Sequence, residues 1–280
     1  LSSKNPLLAG GEGTSHSNSS DFDEDSFSPT TSASFTSNFA IGKEEGGSTE
    51  EYIANFDYEI ALTTSFTGND SLDVVMEAGQ SAGYTELDMT NNSKVVTVDS
   101  ISYTTSLGDK ISTYVGFGDG AAGSSLYNTA CVYGAQADTF SKCGVSAANL
   151  DEGLGVAFGT SFDLGNGFTA ALGYEGQGTK RGLMTVYTTD ALGGQLAYTG
   201  DTFGASVSWA NIENHATDAT NAVTTGSGDG QTQSVGFNAY YTPDLPNFPS
   251  VSAGFERNHD DNVAGTSNDE TTHYFVGIQW

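Results

Sequence analysis

The feature that most constrains this chain is a strict two-residue alternation. From Tyr52 to Phe66 the even positions read Tyr52, Ala54, Phe56, Tyr58, Ile60, Leu62, Thr64 and Phe66, while the odd positions include Asn55, Asp57, Glu59 and Thr63. Successive side chains of a strand point to opposite faces, so this pattern builds a strand with one apolar and one polar face. The turn Thr67-Gly68-Asn69-Asp70 follows, and Leu72, Val74, Met76 and Ala78 then alternate with Asp73, Val75 and Glu77. Two alternating runs joined by a Gly/Asn/Asp turn form a β-hairpin.

The same unit recurs to the end of the chain. Val95 to Leu107 leads through Gly108-Asp109 into Ile111, Thr113, Val115 and Phe117. Further hairpins turn at Gly165-Asn166-Gly167, at Gly200-Asp201 and at the Pro-rich segment Pro243 to Pro249. A weaker strand, Phe35 to Ile41, precedes them, and Tyr274, Val276, Ile278 and Trp280 close the chain. The connections between hairpins, residues 80–93, 119–153, 177–188, 212–231 and 257–271, are long and polar. Short turns and long loops therefore alternate, as they do in outer-membrane barrels with short periplasmic turns and long external loops.

Aromatic residues separate this reading from a soluble sandwich or barrel. Phe66, Phe162, Phe168, Tyr198, Phe203, Tyr241 and Trp280 sit beside short turns; Phe117, Tyr174, Trp209, Phe255 and Tyr274 sit nearer the long loops. Two such belts flanking a band of Ala, Val, Leu and Ile suit a membrane with its two interfaces. The expected fold is all-β: an antiparallel up-and-down transmembrane β-barrel of about twelve strands, complete in itself or part of a sixteen-stranded barrel. Residues 31–280 form that barrel. Residues 1–30, Ser-rich, acidic and without period, read as a disordered tail or linker.

Composition excludes other classes. With 8 Lys+Arg against 35 Asp+Glu, the formal net charge is −27, the opposite of a nucleic-acid footprint. The sequence has no apolar run long enough for a membrane helix. It starts without Met or a signal peptide, so it reads as a processed or cropped chain, with export inferred from the barrel pattern. Cys131 and Cys143 lie in one Gly/Ala/Ser-rich loop, where an oxidising compartment permits a disulfide.

Several segments resemble cyanobacterial outer-membrane porins, relatives of the carbohydrate-selective porins. They are YEIALTTSFTGNDSLDVVMEAG (Tyr58 to Gly79), ISYTTSLGDKISTYVGFGDG (Ile101 to Gly120), NFPSVSAGF (Asn247 to Phe255) and YFVGIQW (Tyr274 to Trp280). The resemblance implies a water-filled barrel in the outer membrane of a Gram-negative, cyanobacterial-type cell, passing small hydrophilic solutes and ions, and assembled as a homotrimer. The family's N-terminal cell-wall-binding domain is not expected from this sequence, and Asp73, Val75 and Glu77 stand where the family hairpin often has Arg. The alternating residues up to Trp280 also resemble the C-terminal assembly signal of such barrels.

If the polar faces line the lumen, Asp57, Glu59, Asp73 and Glu77 point inward from one hairpin, joined by Asp99, Asp163 and Glu175. A ring of carboxylates favours cations. The expected activity is a cation-preferring diffusion pore, with loop 119–153 as the candidate constriction. The inner-face glycines Gly155, Gly159, Gly173, Gly193, Gly236 and Gly277 favour an open interior. The alternative is a structural or adhesin/receptor-type barrel with a closed lumen. No enzyme, cofactor or metal is expected. Of the histidines, His16, His215, His259 and His273, only His259-Asp260-Asp261 offers an Asp/His site, and solvated loop neighbours explain it as well.

Overall fold

A computed structural model describes residues 31–42, 52–81, 89–133, 143–150, 153–178, 182–185, 188–214, 230–245, 247–262 and 269–280. The expected tail, His16, His215, Lys180 and Arg181 lie outside the described residues. The protein is all-β among them, apart from short 3-10 turns that include Gly123–Leu126 and Ala147–Asn149. Its twelve strands are β1 (Thr31–Gly42), β2 (Ile53–Thr64), β3 (Asp70–Gln80), β4 (Thr97–Leu107), β5 (Ile111–Gly118), β6 (Gly155–Gly165), β7 (Phe168–Gly176), β8 (Asp190–Thr199), β9 (Phe203–Asn214), β10 (Gly230–Tyr241), β11 (Ser250–Asn262) and β12 (Asp269–Gln279). Their hydrogen-bonded order is the chain order, an up-and-down antiparallel arrangement. The chain divides into two compact units, residues 1–85 with 89–104, and residues 86–88 with 105–280.

In the first unit, Asp57 pairs with Asn38 and Gly79, and Glu59 with Thr36 and Glu77. The polar positions of β1, β2 and β3 thus share one face, and Phe35, Phe39, Tyr58, Ile60, Val74 and Met76 share the other. The hairpin between β2 and β3 is fixed by Asp70. Its Oδ1 accepts the amides of Phe66 (3.0 Å) and Thr67 (2.8 Å) and the Ser65 hydroxyl (2.8 Å), and its Oδ2 accepts the Tyr103 hydroxyl (2.8 Å). The backbone amide of Thr67 is the largest of the causes that hold this carboxyl well below the usual carboxylate range. A depressed folded pKa means that the ionised turn is stabilised above the unfolded carboxylate pKa of about 3.9 and loses that support as pH falls. Asp70→Ala is therefore expected to speed amide exchange at Phe66 and Thr67 at neutral pH. In the parent chain the same amides should stay protected until the pH drops well below 4, by the same linkage.

In the second unit, the paired registers from β5 to β12 bring alternate residues into rows. One row runs Ser112, Ser161, Ala171, Gln195, Ser208, Gly236, Glu256 and His273. On the opposite face Leu192, Leu196, Val207, Val235, Phe237 and Val276 are exposed, Val276 to 74%. Seven strands about 4.8 Å apart, apolar over about 20 Å, present a patch of roughly 700 Å², more than soluble monomers normally leave to water. Aromatic pairs mark both edges of the band: Phe168–Tyr198 and Tyr198–Phe203 at the turn end, and Phe158–Tyr174 and Phe255–Tyr274 at the loop end.

The strands differ from the sequence reading mainly at their loop ends. β9 runs to Asn214, β10 begins at Gly230, and β11 and β12 reach Asn262 and Asp269. Residues 212–214, 230–231, 257–262 and 269–271 are thus strand and not loop. Beyond Phe255 both faces of β11 are polar, and beyond Trp209 the outer face of β9 turns to Asn211 and Glu213, so the period-two signal fades while the hydrogen-bond ladder continues.

Candidate functional site

The polar face of β6–β12 is not bare: the connection between β5 and β6 lies on it. Its first leg descends across the sheet in extended form. The amide of Gly123 donates to Glu175 Oε1 (2.7 Å), Asn128 to Gln195 Oε1 (2.6 Å), Ala130 to Ser206 Oγ (3.0 Å) and Val132 to Ser252 Oγ (3.1 Å). Alternate amides from 128 to 132 thus face the wall, as alternate residues of an extended segment must. The Tyr133 ring ends the leg edge-on to Phe275, centroids 5.3 Å apart. The second leg returns. The Ala148 amide donates to Glu256 Oε2 (2.9 Å), and Asn149 Oδ1 accepts from Ser208 Oγ and Gln195 Nε2. Leu150 packs with Ala191, Ala210 and Ile212. Cys131 and Cys143 are joined in a disulfide that ties the two legs together.

The glycines on this face have a different role from the open interior expected of them. A Cβ on Gly254 would stand 1.9 Å from the Cys143 carbonyl oxygen, one on Gly173 2.2 Å from that of Gly123, and one on Gly236 2.0 Å from Val145 Cγ1. Gly277 is crowded in the same way by Tyr133, Gly193 first by the Trp209 carbonyl of the next strand and then by Leu150, and Gly159 lies close to the Gly123 carbonyl. Of the glycines named from sequence, Gly155 alone has open space beside it. Glycine in a strand interior signals close approach of another backbone, and that signal was present in the sequence.

The seven predicted pore-lining carboxylates fall in four places. Asp57, Glu59, Asp73 and Glu77 share the polar face of β2 and β3, with Glu59 directly opposite Glu77. Asp57 Oδ2 accepts the Thr90 amide (3.1 Å), Glu77 Oε2 the Thr90 hydroxyl (2.6 Å), and Asp73 the hydroxyls of Thr63 and Ser71 (2.6 Å each). Glu175 is fully buried, beneath the loop it holds. Asp163 is exposed at the short turn, where its Oδ1 accepts the Gly165 amide (2.8 Å). Asp99 departs from the expectation: alternation puts it with Ile101, Tyr103 and Leu107, while Ser100, Ser102, Thr104 and Ser106 occupy the other side of β4. Hydroxyls on both sides of that strand blur its pattern.

Sequence reasoning missed Glu256, which is 1% exposed. Its carboxylate also accepts Asn258 Nδ2 (3.2 Å) and lies 3.5 Å from His273 Nδ1. It was overlooked because the alternation was followed only to Phe255. Tyr127, between the legs, has its phenol pushed up, first by burial and then by the nearby Glu175 charge, so it stays neutral. Among the described residues of this loop only Asp119 is charged. The wall therefore grips the described part of the loop mainly by its backbone.

His259, on β11 instead of in a loop, lies 3.2 Å from Asp261 on the apolar-face side, beside the Arg257–Glu270 ion pair (2.6 Å). That strip lies beyond Phe255, where charge would meet an aqueous interface. No cluster of His, Cys, Asp and Glu suited to a metal ion occurs among the described residues.

No family model matches the chain, and no curated protein matches its sequence. Among solved structures it is similar to an anion-selective porin from Comamonas acidovorans, with a TM-score of 0.53 and 14% identity over 89% of this chain and 74% of that one. It is also similar to a mutant of the Rh. blastica porin (TM-score 0.45, 10% identity, 88% of this chain and 100% of that one) and to the outer membrane channel DcaP of Acinetobacter baumannii (TM-score 0.34, 12% identity, 89% and 96%). The first of these likenesses shows the fold: this chain has the porin fold.

Proposed function

We propose that the protein is an outer-membrane porin, a passive channel for small hydrophilic solutes whose lumen prefers cations and is narrowed by the loop after β5. The observation that carries the reading is the pairing of two opposite faces. One face exposes a broad apolar band edged by aromatics, and the other seats the protein's own loop on buried polar side chains. Lipid on the first face and a water-filled, loop-narrowed lumen on the second account for both. On this reading residues 31–280 form one barrel, and the cyanobacterial porin resemblance supplies the expectation of a carbohydrate-passing homotrimer.

Cation preference rests on sign. Asp57, Glu59, Asp73 and Glu77 share one polar face. Among the described residues, Lys94 and Lys110 stand at connections and Arg257 points to the apolar side. The Comamonas porin is anion-selective, so the proposal is that this chain has the opposite preference on a shared fold. In a salt gradient across a planar bilayer, the reversal potential is expected to show permeability to potassium above chloride. Glu59→Gln with Glu77→Gln should bring the ratio toward one, since the lumen field falls with its nearest charges. Chloride preference in the parent chain would overturn the sign.

A second reading, a structural or receptor barrel without an open channel, draws on the extent of the loop's cover over the polar face. Sugar-driven liposome swelling separates the two. A porin swells as it is, whereas a closed barrel swells only once residues 124–149 are removed.

A further inference from the structure

The side of the second unit away from the loop carries a cavity of about 310 Å³. Its floor is two adjacent rows of the sheet, Tyr174 with Leu192 and Asn211, and Asp190 with Glu213. Met184, from the connection between β7 and β8, completes the lining. The cavity stands at the loop end of the apolar band, one register step beyond Trp209. Exposed Leu192 and Leu196 continue from it down the wall.

Its chemistry is lopsided. The Tyr174 ring, Leu192 and Met184 supply apolar contact. Asp190, Glu213 and the Asn211 carbonyl oxygen supply acceptors, beside the Thr185 hydroxyl and the Asn211 amide nitrogen. Asp190 is 6% exposed and is held from behind by the Tyr174 hydroxyl and by Thr188 Oγ1 at 3.4 Å. Asn211 Oδ1 is buried and has no hydrogen-bond partner in the protein. Glu213 is exposed at the rim. Among the described residues no Lys or Arg lines it. A buried acceptor without a donor is destabilising, so a ligand that brings a donor is favoured at this point. Two carboxylates beside it favour a donor that is also a cation.

We propose that this cavity binds the primary ammonium headgroup of a membrane amphiphile. The ammonium donates to Asn211 Oδ1 and Glu213, and an acyl chain runs over Leu192 and Leu196. The inference rests on the apolar band facing lipid, and the test keeps the two apart. The full chain is reconstituted in phosphatidylcholine vesicles carrying equal small fractions of phosphatidylethanolamine and phosphatidylglycerol, extracted gently, and its retained lipids are weighed by native mass spectrometry. Phosphatidylethanolamine is expected to be enriched about ten-fold over its share in the vesicle, the scale of one charge-assisted hydrogen bond. Glu213→Gln should lower the enrichment, and Asn211→Leu with Glu213→Gln should abolish it. Heat-modifiable gel migration confirms that each variant is folded. Equal retention of all headgroups, preference for phosphatidylglycerol, or enrichment that survives in the double variant overturns the proposal. Failure of the parent chain to enter vesicles at all overturns the membrane reading instead.

Discussion

Gly254→Val is expected to unseat the return leg of the loop and raise single-channel conductance about two-fold or more. The new Cβ would stand 1.9 Å from the Cys143 carbonyl oxygen and 3.0 Å from Asn238 Nδ2. A backbone carbonyl cannot rotate away as the end of a flexible side chain can. Relief requires a shift of more than about 1 Å, and overpacking of this kind costs about 1–3 kcal/mol or more. The seven-strand ladder beneath is held by many mutually supporting hydrogen bonds, whereas each loop anchor contributes only about 1 kcal/mol net. The loop gives way first. Gly194→Ala is the control. It lies on the apolar side, where its Cβ would meet Leu172 Cδ2 at 3.2 Å, and conductance should not change. Unchanged conductance in Gly254→Val would mean that the loop does not limit flow.

The second large effect is expected at Glu256. Substitution by leucine leaves the Ala148 amide and Asn258 Nδ2 without their acceptor, at about 1–3 kcal/mol for each buried orphan. A loss of about 3 kcal/mol corresponds to roughly a hundred-fold faster opening of the segment around Ala148, read as amide exchange at that residue. Glu256→Gln keeps an acceptor oxygen and should show a much smaller acceleration. Equal exchange in all three chains would mean that the segment is held by its apolar contacts, above all Leu150, and not by the carboxylate.

Where the sequence was decisive, one physical cause explains why. Alternation records which face is apolar, so strands were legible wherever the apolar band runs, from Tyr58 and Ile60 in β2 to Val276 and Ile278 in β12. It faded at Glu256 and His259, which lie at and beyond the band's edge, although the ladder continues to Asn262. Asp99 was assigned to the wrong side because β4 carries hydroxyls on both. The seat of the loop was harder to read, because its anchors are backbone amides, which leave no trace in residue type. Its indirect trace was the set of small residues beneath it. Gly173, Gly236 and Gly254 are glycine for the sake of a chain segment that crosses them, and composition alone cannot separate that demand from a wide lumen.

The loop's attachment also orders events in time. Val132 reaches Ser252, a residue 120 positions later in the chain. A segment made before β6 therefore has no complete seat until β11 has joined the sheet. Contacts of such long sequence separation form late, because the entropy of closing the intervening chain must be met first. Until then the seats that Ser252 and Glu256 provide for Val132 and Ala148 are missing, and that part of the loop stays hydrated. The protein is thus expected to complete its own restriction only as its last two strands arrive.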